Sequence, residues 1–483
     1  MLMLKYLTGT NDEFALNIAY TTFLQFAEFA NAFKIALFFD DLQHVEQVFT
    51  SCDDLLKKKQ FCYILARHLD DEMCRVDDDR ILLQDIINNS KLSESYLSLA
   101  RDMQVMEPKY QEEIYKADFL DGHACAGASF GSAGKVLAAT FVNAFVNAGL
   151  HQDKLMTVPA DSSSGGSSGN CKNKEHGKSS AEASLGMILL WDVDFGLAHI
   201  HKYIHSNDNL VIAGALLGIG LVNCNVNNDL DPARGILREY IGNEDSSIRI
   251  GAIMGLGIAY SGAQSEQQCG GCRCYCRCFN CQKRAGIGGP LTRLLSLSRG
   301  LIFLGKQEER LEAKSDFLER FNKKIRKYWD VTLLSCAYAG TRNVLSPVLF
   351  KEYCITERMK SSFPYWGPAV LGIAMVAIAE ELGLEMSIRL LERLLQYSEL
   401  NIRRAVPFAL GLLCISNPKV NVMDILSRLS HDTDLEVAMA AVISLGLIGA
   451  GTNHVRIVFM LGNLSSYYYG VDCLLFCVQI AQG

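Results

Sequence analysis

The sequence contains no hydrophobic run long enough to cross a bilayer. Its longest apolar stretch lies near Ala369–Ala379 and is followed by Glu380 and Glu381. A membrane-spanning helix needs roughly 20 apolar residues. The start, Met1–Lys5, has no basic segment followed by an apolar one, so we expect no secretory signal. We therefore predict an intracellular protein whose 17 cysteines are mostly reduced.

The chain also lacks an excess of basic residues. It carries 46 Lys and Arg against 53 Asp and Glu, a formal net charge of -7. Nucleic-acid binding requires a basic face that displaces phosphate counterions, so this class of partner is excluded. Charged residues make up only 20% of the chain and apolar residues 49%, a balance that favours closely stacked helices.

Sequence motifs for catalysis and nucleotide binding are incomplete. A glycine-containing phrase ending at Lys135 resembles a phosphate-binding loop, but Val136 replaces the Ser or Thr that would hold magnesium. His199, His201 and His205 lie close together without the Glu of a His-Glu-x-x-His zinc site, which favours histidines on a helix surface. We predict no catalytic residue, no cofactor and no enzyme activity.

The second half of the chain contains a Gly/Ala-rich apolar phrase that recurs. Aligned on a shared glycine, it repeats after 37 residues from Gly218 to Gly255, after 39 from Gly372 to Gly411 and after 35 from Gly411 to Gly446. A period of roughly 20 to 50 residues indicates stacked repeats. The sequence therefore predicts an all-α fold, a repeat solenoid of helical hairpins.

The glycines of this phrase are predicted to have a structural role. A glycine inside a helix costs about 1 kcal/mol relative to alanine. Its recurrence suggests that close packing compensates the cost, because a backbone without Cβ lets a neighbouring helix approach. We expect these helices to line the inner wall of the array. The predicted repeat glycines are Gly186, Gly218, Gly255, Gly372, Gly411 and Gly446.

Composition divides the chain into five segments. Residues 1–156 have apolar side chains at helical spacing and are predicted to form an N-terminal helical arm. Residues 157–176 form a flexible Ser/Gly-rich loop that can bury nothing. Residues 177–264 and 291–483 hold the repeats, and residues 265–290 form a Cys-rich insertion between them.

The Cys-rich insertion leaves two interpretations open. Two-residue gaps separate Cys269 from Cys272 and Cys278 from Cys281, a spacing that suits thiolate ligation of zinc or another soft metal. The other interpretation is a disordered insertion, or sequence from faulty exon joining, that binds no metal and replaces helices that the repeats need.

Several phrases, in chain order, resemble one known family. They are Glu46–Cys52, Met106–Lys109, Lys174–Gly177, Ala183–Asp194, Cys336–Gly340, Arg403–Pro407, Ser430–Asp434 and Gly449–Asn453. The chain resembles the large non-ATPase scaffold subunits of the 26S proteasome regulatory particle, which carry proteasome/cyclosome repeats. Of the two such subunits, it is similar to the one that contacts the ATPase ring and receives ubiquitin-like domains.

This resemblance implies a helical arm followed by an α-helical toroid. It also implies a non-catalytic scaffold in the base of the regulatory particle, acting in the cytoplasm and nucleus in ATP-dependent degradation of ubiquitinated proteins. The implied partners are ATPase-ring subunits, ubiquitin chains, ubiquitin-like domains of shuttle receptors and a deubiquitinating enzyme, with no nucleic acid and no membrane.

The chain departs from this family in ways that affect these expectations. Its N-terminal part is shorter, it stops at Gly483 before the family's C-terminal region, and the Cys-rich segment replaces roughly one repeat. The replaced part carries the acidic residues of the family's best-described ubiquitin-docking face, so we assign no ubiquitin contact. The toroid is expected to change curvature and close, or to stay open. The alternative function is a stand-alone helical-repeat adaptor with a Cys-cluster metal or redox site.

Overall fold

The structure is a computed structural model that describes most of the chain. The described residues are 10–39, 42–65, 86, 89, 91–107, 109, 133–152, 176–226, 231–262, 290–305, 323–341, 366–378, 381–397 and 399–483. Twenty α-helices and no β-strand occur within these ranges, so the predicted all-α class is confirmed for them. None of these helices is both long and apolar enough to cross a membrane.

The chain forms two compact units, residues 1–95 with 226–229, and residues 96–225 with 230–483. The helices of the first unit are α1 (Thr10–Gln25), α2 (Phe29–Phe39), α3 (Leu42–Ser51) and α4 (Leu55–Leu65). Its core is aromatic: Phe33 stacks on Phe61 with ring centroids 4.6 Å apart, and both rings meet Phe49 edge-on. Helix α5 (Leu92–Asp102) begins at the end of this unit and continues into the second.

The second unit contains the repeats. Its helices are α6 (Ala133–Val146), α7 (His176–Ile188), α8 (Val193–Ile204), α9 (Asn209–Val222), α10 (Pro232–Tyr240), α11 (Ser246–Ala259), α12 (Pro290–Ile302), α13 (Lys323–Ala337), α14 (Trp366–Ala377), α15 (Glu381–Tyr397), α16 (Leu400–Leu413), α17 (Val420–Leu429), α18 (Leu435–Gly449), α19 (Val455–Tyr467) and α20 (Asp472–Gln482).

Ten of the described helices form a closed inner ring. In ring order they are α6, α7, α9, α11, α12, α13, α14, α16, α18 and α20, and each packs against the one before and the one after it. Helix α20 packs back against α6, where Phe476 meets Phe141 edge-on at 6.2 Å. Of the two expectations for the toroid, the closed form is the one observed.

The outer helices return the chain between inner ones. Helices α8, α10, α15, α17 and α19 each pack against the preceding and the following inner helix. In α17, for example, Val422, Met423, Ile425 and Leu426 are buried while Asp424 faces solvent. Hydrogen bonds join the ends of successive inner helices, for example Gly262 N–H to the Leu301 carbonyl and Gly305 N–H to the Cys336 carbonyl, so the helices joined in this way are parallel. Their starts define the amino rim of the ring and their ends define the carboxyl rim.

The predicted segment boundaries stay predictions. Helix α6 falls inside the segment 1–156 that was predicted as an arm, yet it packs against α7 and α20 within the ring. Residues 153–175, which include most of the Ser/Gly-rich loop, lie outside the described residues, as do residues 265–289 of the Cys-rich insertion.

Candidate functional site: seams and rims of the helical ring

The seams between the first repeat helices are contacts of backbone on backbone. A Cβ on Gly186 of α7 would lie 2.5 Å from the Cα of Gly218 in α9. A Cβ on Gly220 of α9 would lie 2.3 Å from the carbonyl oxygen of Gly255 in α11, and one on Gly214 would lie 2.3 Å from that of Ser179. Real Cβ atoms do not approach so closely. Any larger residue at these positions would clash, so the seams require glycine. The close packing that glycine allows compensates the free-energy cost of glycine inside a helix.

Later seams use slightly larger residues. The Cβ of Gly411 in α16 would lie 2.7 Å from the Cβ of Ser444 in α18, and that of Gly446 would lie 2.8 Å from the Cα of Ala481 in α20. All six predicted repeat glycines lie in inner helices, and Gly372 is buried in α14. The prediction left out Gly214, Gly220, Gly251 and Gly257, which occur in the same phrases and make contacts of the same kind.

A ladder of backbone hydrogen bonds runs along the carboxyl rim. After most inner helices, a residue with φ between 52° and 74° donates its N–H to a carbonyl at the end of the next inner helix. The pairs are Gly149 to Met187, His151 to Ile188, Trp191 to Val222, Asn225 to Ala259, Gly262 to Leu301, Gly305 to Cys336, Gly340 to Met375 and Ser416 to Leu447. Each bond links the end of one repeat to a carbonyl near the end of the next inner helix, and so fixes the register of neighbouring repeats.

Trp191 is the most strained residue of this ladder. Its φ is 67°, a conformation that bulky side chains rarely adopt. Its ring meets Tyr96 of α5 edge-on at 5.3 Å, and the Tyr96 hydroxyl donates to the carbonyl of Ala148 at 3.1 Å. Gly149 leaves room for the same tyrosine, since a Cβ there would lie 2.8 Å from its ring. Tyr96 is therefore held on the carboxyl rim by Trp191, by the Ala148 carbonyl and by the space beside Gly149.

Aspartates organise the amino rim. Asp208, Asp245 and Asp434 are the N-caps of α9, α11 and α18, and each accepts a hydrogen bond from a backbone N–H of the first turn. A cap of this kind is worth about 1 kcal/mol to a helix. The sequence prediction missed these residues, although an Asp directly before an apolar repeat phrase is a recognisable start signal.

Each capping aspartate is also held by the preceding inner helix. The Lys178 ammonium donates to Asp208 at 2.6 Å, and the Asn209 amide donates to Asp245 at 3.1 Å. Arg404 donates hydrogen bonds to Asp434 from two nitrogens, Nε at 3.1 Å and Nη2 at 2.8 Å. The amino rim therefore joins neighbouring repeats by side chains, whereas the carboxyl rim joins them by backbone.

These contacts shift the acidity of the capping carboxyls. The hydrogen bond from Lys178 lowers the pKa of Asp208, and the Leu210 N–H lowers it further. The hydrogen bond from Arg404 lowers the pKa of Asp434 in the same way. Burial opposes ionisation of Asp245, but the N–H groups of Ile248 and Ser247 outweigh it and leave its pKa lowered. All three carboxylates are ionised at neutral pH.

Several cysteines fill the ring core as small apolar groups. Cys336, Cys414 and Cys477 are buried as free thiols. Burial raises the pKa of Cys336 to about 12, and burial raises that of Cys414 and of Cys477 to about 11. These thiols remain protonated at neutral pH and have little nucleophilic or metal-binding character.

The remaining sequence candidates do not converge on a catalytic site or on a metal site of three or more ligands. His201 and His205 lie one turn apart on α8 with ring centroids 4.8 Å apart, and His199 contacts Phe195 instead. No group of three or more potential metal ligands occurs within the described ranges. Cys269, Cys272, Cys278 and Cys281 lie outside the described residues, so the metal-binding alternative stays a prediction.

Two family models match the sequence. Residues 1–120 match the RPN1 N-terminal domain, and residues 214–250 match the proteasome/cyclosome repeat. The second match covers α9 from Gly214 onward, α10 and the start of α11, and it includes Gly218, Gly220 and the capping Asp245.

Curated relatives align over nearly the whole chain. The 26S proteasome non-ATPase regulatory subunit 2 homolog B of Arabidopsis thaliana is 59% identical over 520 residues, covering 99% of this chain and 58% of the relative. The 26S proteasome non-ATPase regulatory subunit 2 of Dictyostelium discoideum is 37% identical, covering 99% and 55%. The 26S proteasome regulatory subunit rpn-1 of Neurospora crassa is 35% identical, covering 100% and 58%.

The lengths of these alignments are informative. The chain spans less than two thirds of the length of each of these relatives. The Arabidopsis alignment runs over 520 positions, more than the 483 residues of the chain, so that relative contains residues without a counterpart here. With its N-terminal domain, its repeat and nearly all of its residues aligned, the chain belongs to the family of the 26S proteasome non-ATPase regulatory subunit 2, or Rpn1.

Proposed function

We propose that this chain is a non-catalytic scaffold in the base of the 26S proteasome regulatory particle. The observation that carries the proposal is a closed ring of inner helices with glycine seams in a member of the Rpn1 family. Its relatives are named regulatory subunits. A ring whose neighbouring helices touch through backbone atoms deforms little, which suits a platform that holds several partners at fixed distances.

The proposed partners are those that the family resemblance implies. They are subunits of the ATPase ring, ubiquitin chains, ubiquitin-like domains of shuttle receptors and a deubiquitinating enzyme. Several docking surfaces on one rigid ring raise the effective concentration of a second partner once the first is bound. The proposed location is the cytoplasm and nucleus, which a fluorescently tagged full chain would test directly.

Affinity purification of the full chain from cells tests this function. ATPase-ring subunits and polyubiquitin chains should co-purify with it. A Gly220→Leu variant, whose side chain would collide with the Gly255 carbonyl, should lose both partners because the ring cannot form. A Gly235→Leu variant on outer helix α10 is the matched control, since nothing lies within 4 Å of a Cβ at that position. Recovery of neither partner class with the unmodified chain would overturn the proposal.

A further inference from the structure

Two histidines share the solvent face at the end of outer helix α8. His201 lies in the last turn and His205 is the C-cap, and both side chains are exposed. Residues four apart on a helix are neighbours on its surface, and here the two imidazole rings meet edge-on with their centroids 4.8 Å apart. The opposite face of α8 buries Gly196, Ile200 and Ile204, so the packing of the helix holds both histidines toward solvent.

The distance between the two rings fits two ligands of one metal ion. A metal–nitrogen bond to histidine is about 2.0 to 2.1 Å long, and the nitrogen lies between the ring centre and the ion. Two imidazoles in neighbouring coordination positions, with an angle at the metal of about 90° to 109°, therefore have ring centres roughly 4.5 to 5.2 Å apart. The observed 4.8 Å lies within this range. Rotation of the two side chains is enough for both rings to reach one ion, without movement of the backbone.

Neither ring has a competing partner in the part of the chain that the structure describes. Apart from their mutual contact, the imidazoles of His201 and His205 make no hydrogen bond or ion pair there. The neighbouring His199 is engaged differently, since its ring packs on Phe195 with centroids 4.2 Å apart. The ring nitrogens of the pair are therefore available to a ligand from solvent.

The chemistry of these two donors selects the kind of ion. Imidazole nitrogen suits copper, nickel and zinc, whereas Mg²⁺ and Ca²⁺ prefer oxygen ligands. Among the divalent ions of the first transition row, Cu²⁺ forms the most stable complexes with such ligands. Two protein ligands are fewer than a catalytic or a structural zinc site uses, so water completes the coordination and the ion can exchange.

We propose that His201 and His205 form a surface site for an exchangeable divalent transition-metal ion, with Cu²⁺ bound more tightly than Ni²⁺ or Zn²⁺. The bound ion links two successive turns at the end of α8, shortly before the Asp208 cap where α9 begins. An ion that binds only when these turns are folded stabilises them by mass action. The inference does not rest on assembly into the proteasome, because binding is measured on the purified chain alone.

Copper binding to the full chain, purified without a polyhistidine tag, tests this site. Iodoacetamide first blocks the exposed thiols, because thiolates also bind soft metal ions. Titration with Cu²⁺ should then show saturable binding that Mg²⁺ does not compete with. Electron paramagnetic resonance at one equivalent of Cu²⁺ should show two coordinating imidazole nitrogens. His201→Ala and His205→Ala should each lower the Cu²⁺ affinity roughly 100-fold, since a single imidazole loses the advantage of two linked ligands.

His199→Ala is the matched control, because His199 is exposed on the same helix and its ring packs on Phe195 instead of another histidine. This variant should keep the Cu²⁺ affinity of the unmodified chain, and circular dichroism should show all three variants folded. The resonance spectrum of the unmodified chain tests the same pair without any substitution. No saturable binding after thiol blocking, fewer than two nitrogens in the spectrum, unchanged affinity in His205→Ala, or an equal loss in His199→Ala would each overturn the proposal.

Discussion

The early and late seams of the ring bring parallel helices together in different ways. Between α7, α9 and α11, a Cβ added to Gly186, Gly214, Gly220 or Gly251 would lie 2.3 to 2.5 Å from backbone atoms of the neighbouring helix. Between α16, α18 and α20, glycines face Ser444 and Ala481 at 2.7 to 2.8 Å. The amino-rim links differ in the number of hydrogen bonds: Lys178 on Asp208 and Asn209 on Asp245 in the early part use one nitrogen each, and Arg404 on Asp434 in the late part uses two.

This difference shows how one repeat phrase tolerates variation. Where two backbones touch, the seam has no side chain that can move aside, and the amino-rim link is a single hydrogen bond from Lys178 or Asn209. Where one small side chain separates the backbones, the bidentate contact of Arg404 with Asp434 adds a link between the helices at the amino rim. The closed ring therefore depends on backbone contact in its early seams and more on polar side chains in its late seams.

The largest expected effect comes from an alanine in an early seam. Gly220→Ala places a methyl group 2.3 Å from the Gly255 carbonyl oxygen, which forces α9 and α11 apart. Overpacking of a core costs about 1 to 3 kcal/mol, and here it exceeds the gain of about 1 kcal/mol from the better helix propensity of alanine. The thermal midpoint should fall clearly.

The matched control is Gly235→Ala in α10, where an added Cβ has nothing within 4 Å. With no clash, only the propensity gain remains, and the midpoint should rise slightly. Shifts of the same sign in the two variants would show that the early seam is not a tight backbone contact.

A smaller loss is expected from the same substitution in a late seam. The atoms nearest to a Cβ on Gly411 are the Cβ and Oγ of Ser444 at 2.7 Å, and the first backbone atom lies at 3.0 Å. Partial relaxation of Ser444 should limit the net cost to about 1 kcal/mol. Urea unfolding of both variants checks the order. A larger loss in Gly411→Ala than in Gly220→Ala would reverse the comparison drawn above.

The smallest effect concerns the pH dependence of the late clamp. Arg404 lowers the pKa of Asp434 in the folded chain, so the clamp stabilises fully above the unfolded value of 3.8 and is lost as pH falls through the folded pKa. Arg404→Gln should reduce stability at pH 7 and matter progressively less below about pH 4. Urea midpoints of both proteins across this range test it. A difference in urea midpoint between the two proteins that grows as the pH falls would contradict a stabilising Arg404–Asp434 pair.

Particular residues show how far the sequence could predict the ring. The glycine phrase was sufficient to predict inner helices, because glycine that recurs at one helical register indicates a close approach of neighbouring backbones. Arg403 and Arg404 belong to a phrase that carries the family resemblance, and the structure shows that they bind Asp432 and Asp434 within the ring. The left-handed conformation of Trp191 had no local signal, since its sequence gives no reason for a bulky residue to adopt positive φ.

The sequence by itself determined the helical class, the repeat period and the small residues that let helices touch, because each depends on neighbours within one or two turns. The tertiary structure alone decided that α20 meets α6 and closes the ring, and that the ends of successive helices are linked by a backbone ladder. Closure depends on a small rotation added at every seam. The total rotation depends on all the seams together and cannot be derived from any single repeat.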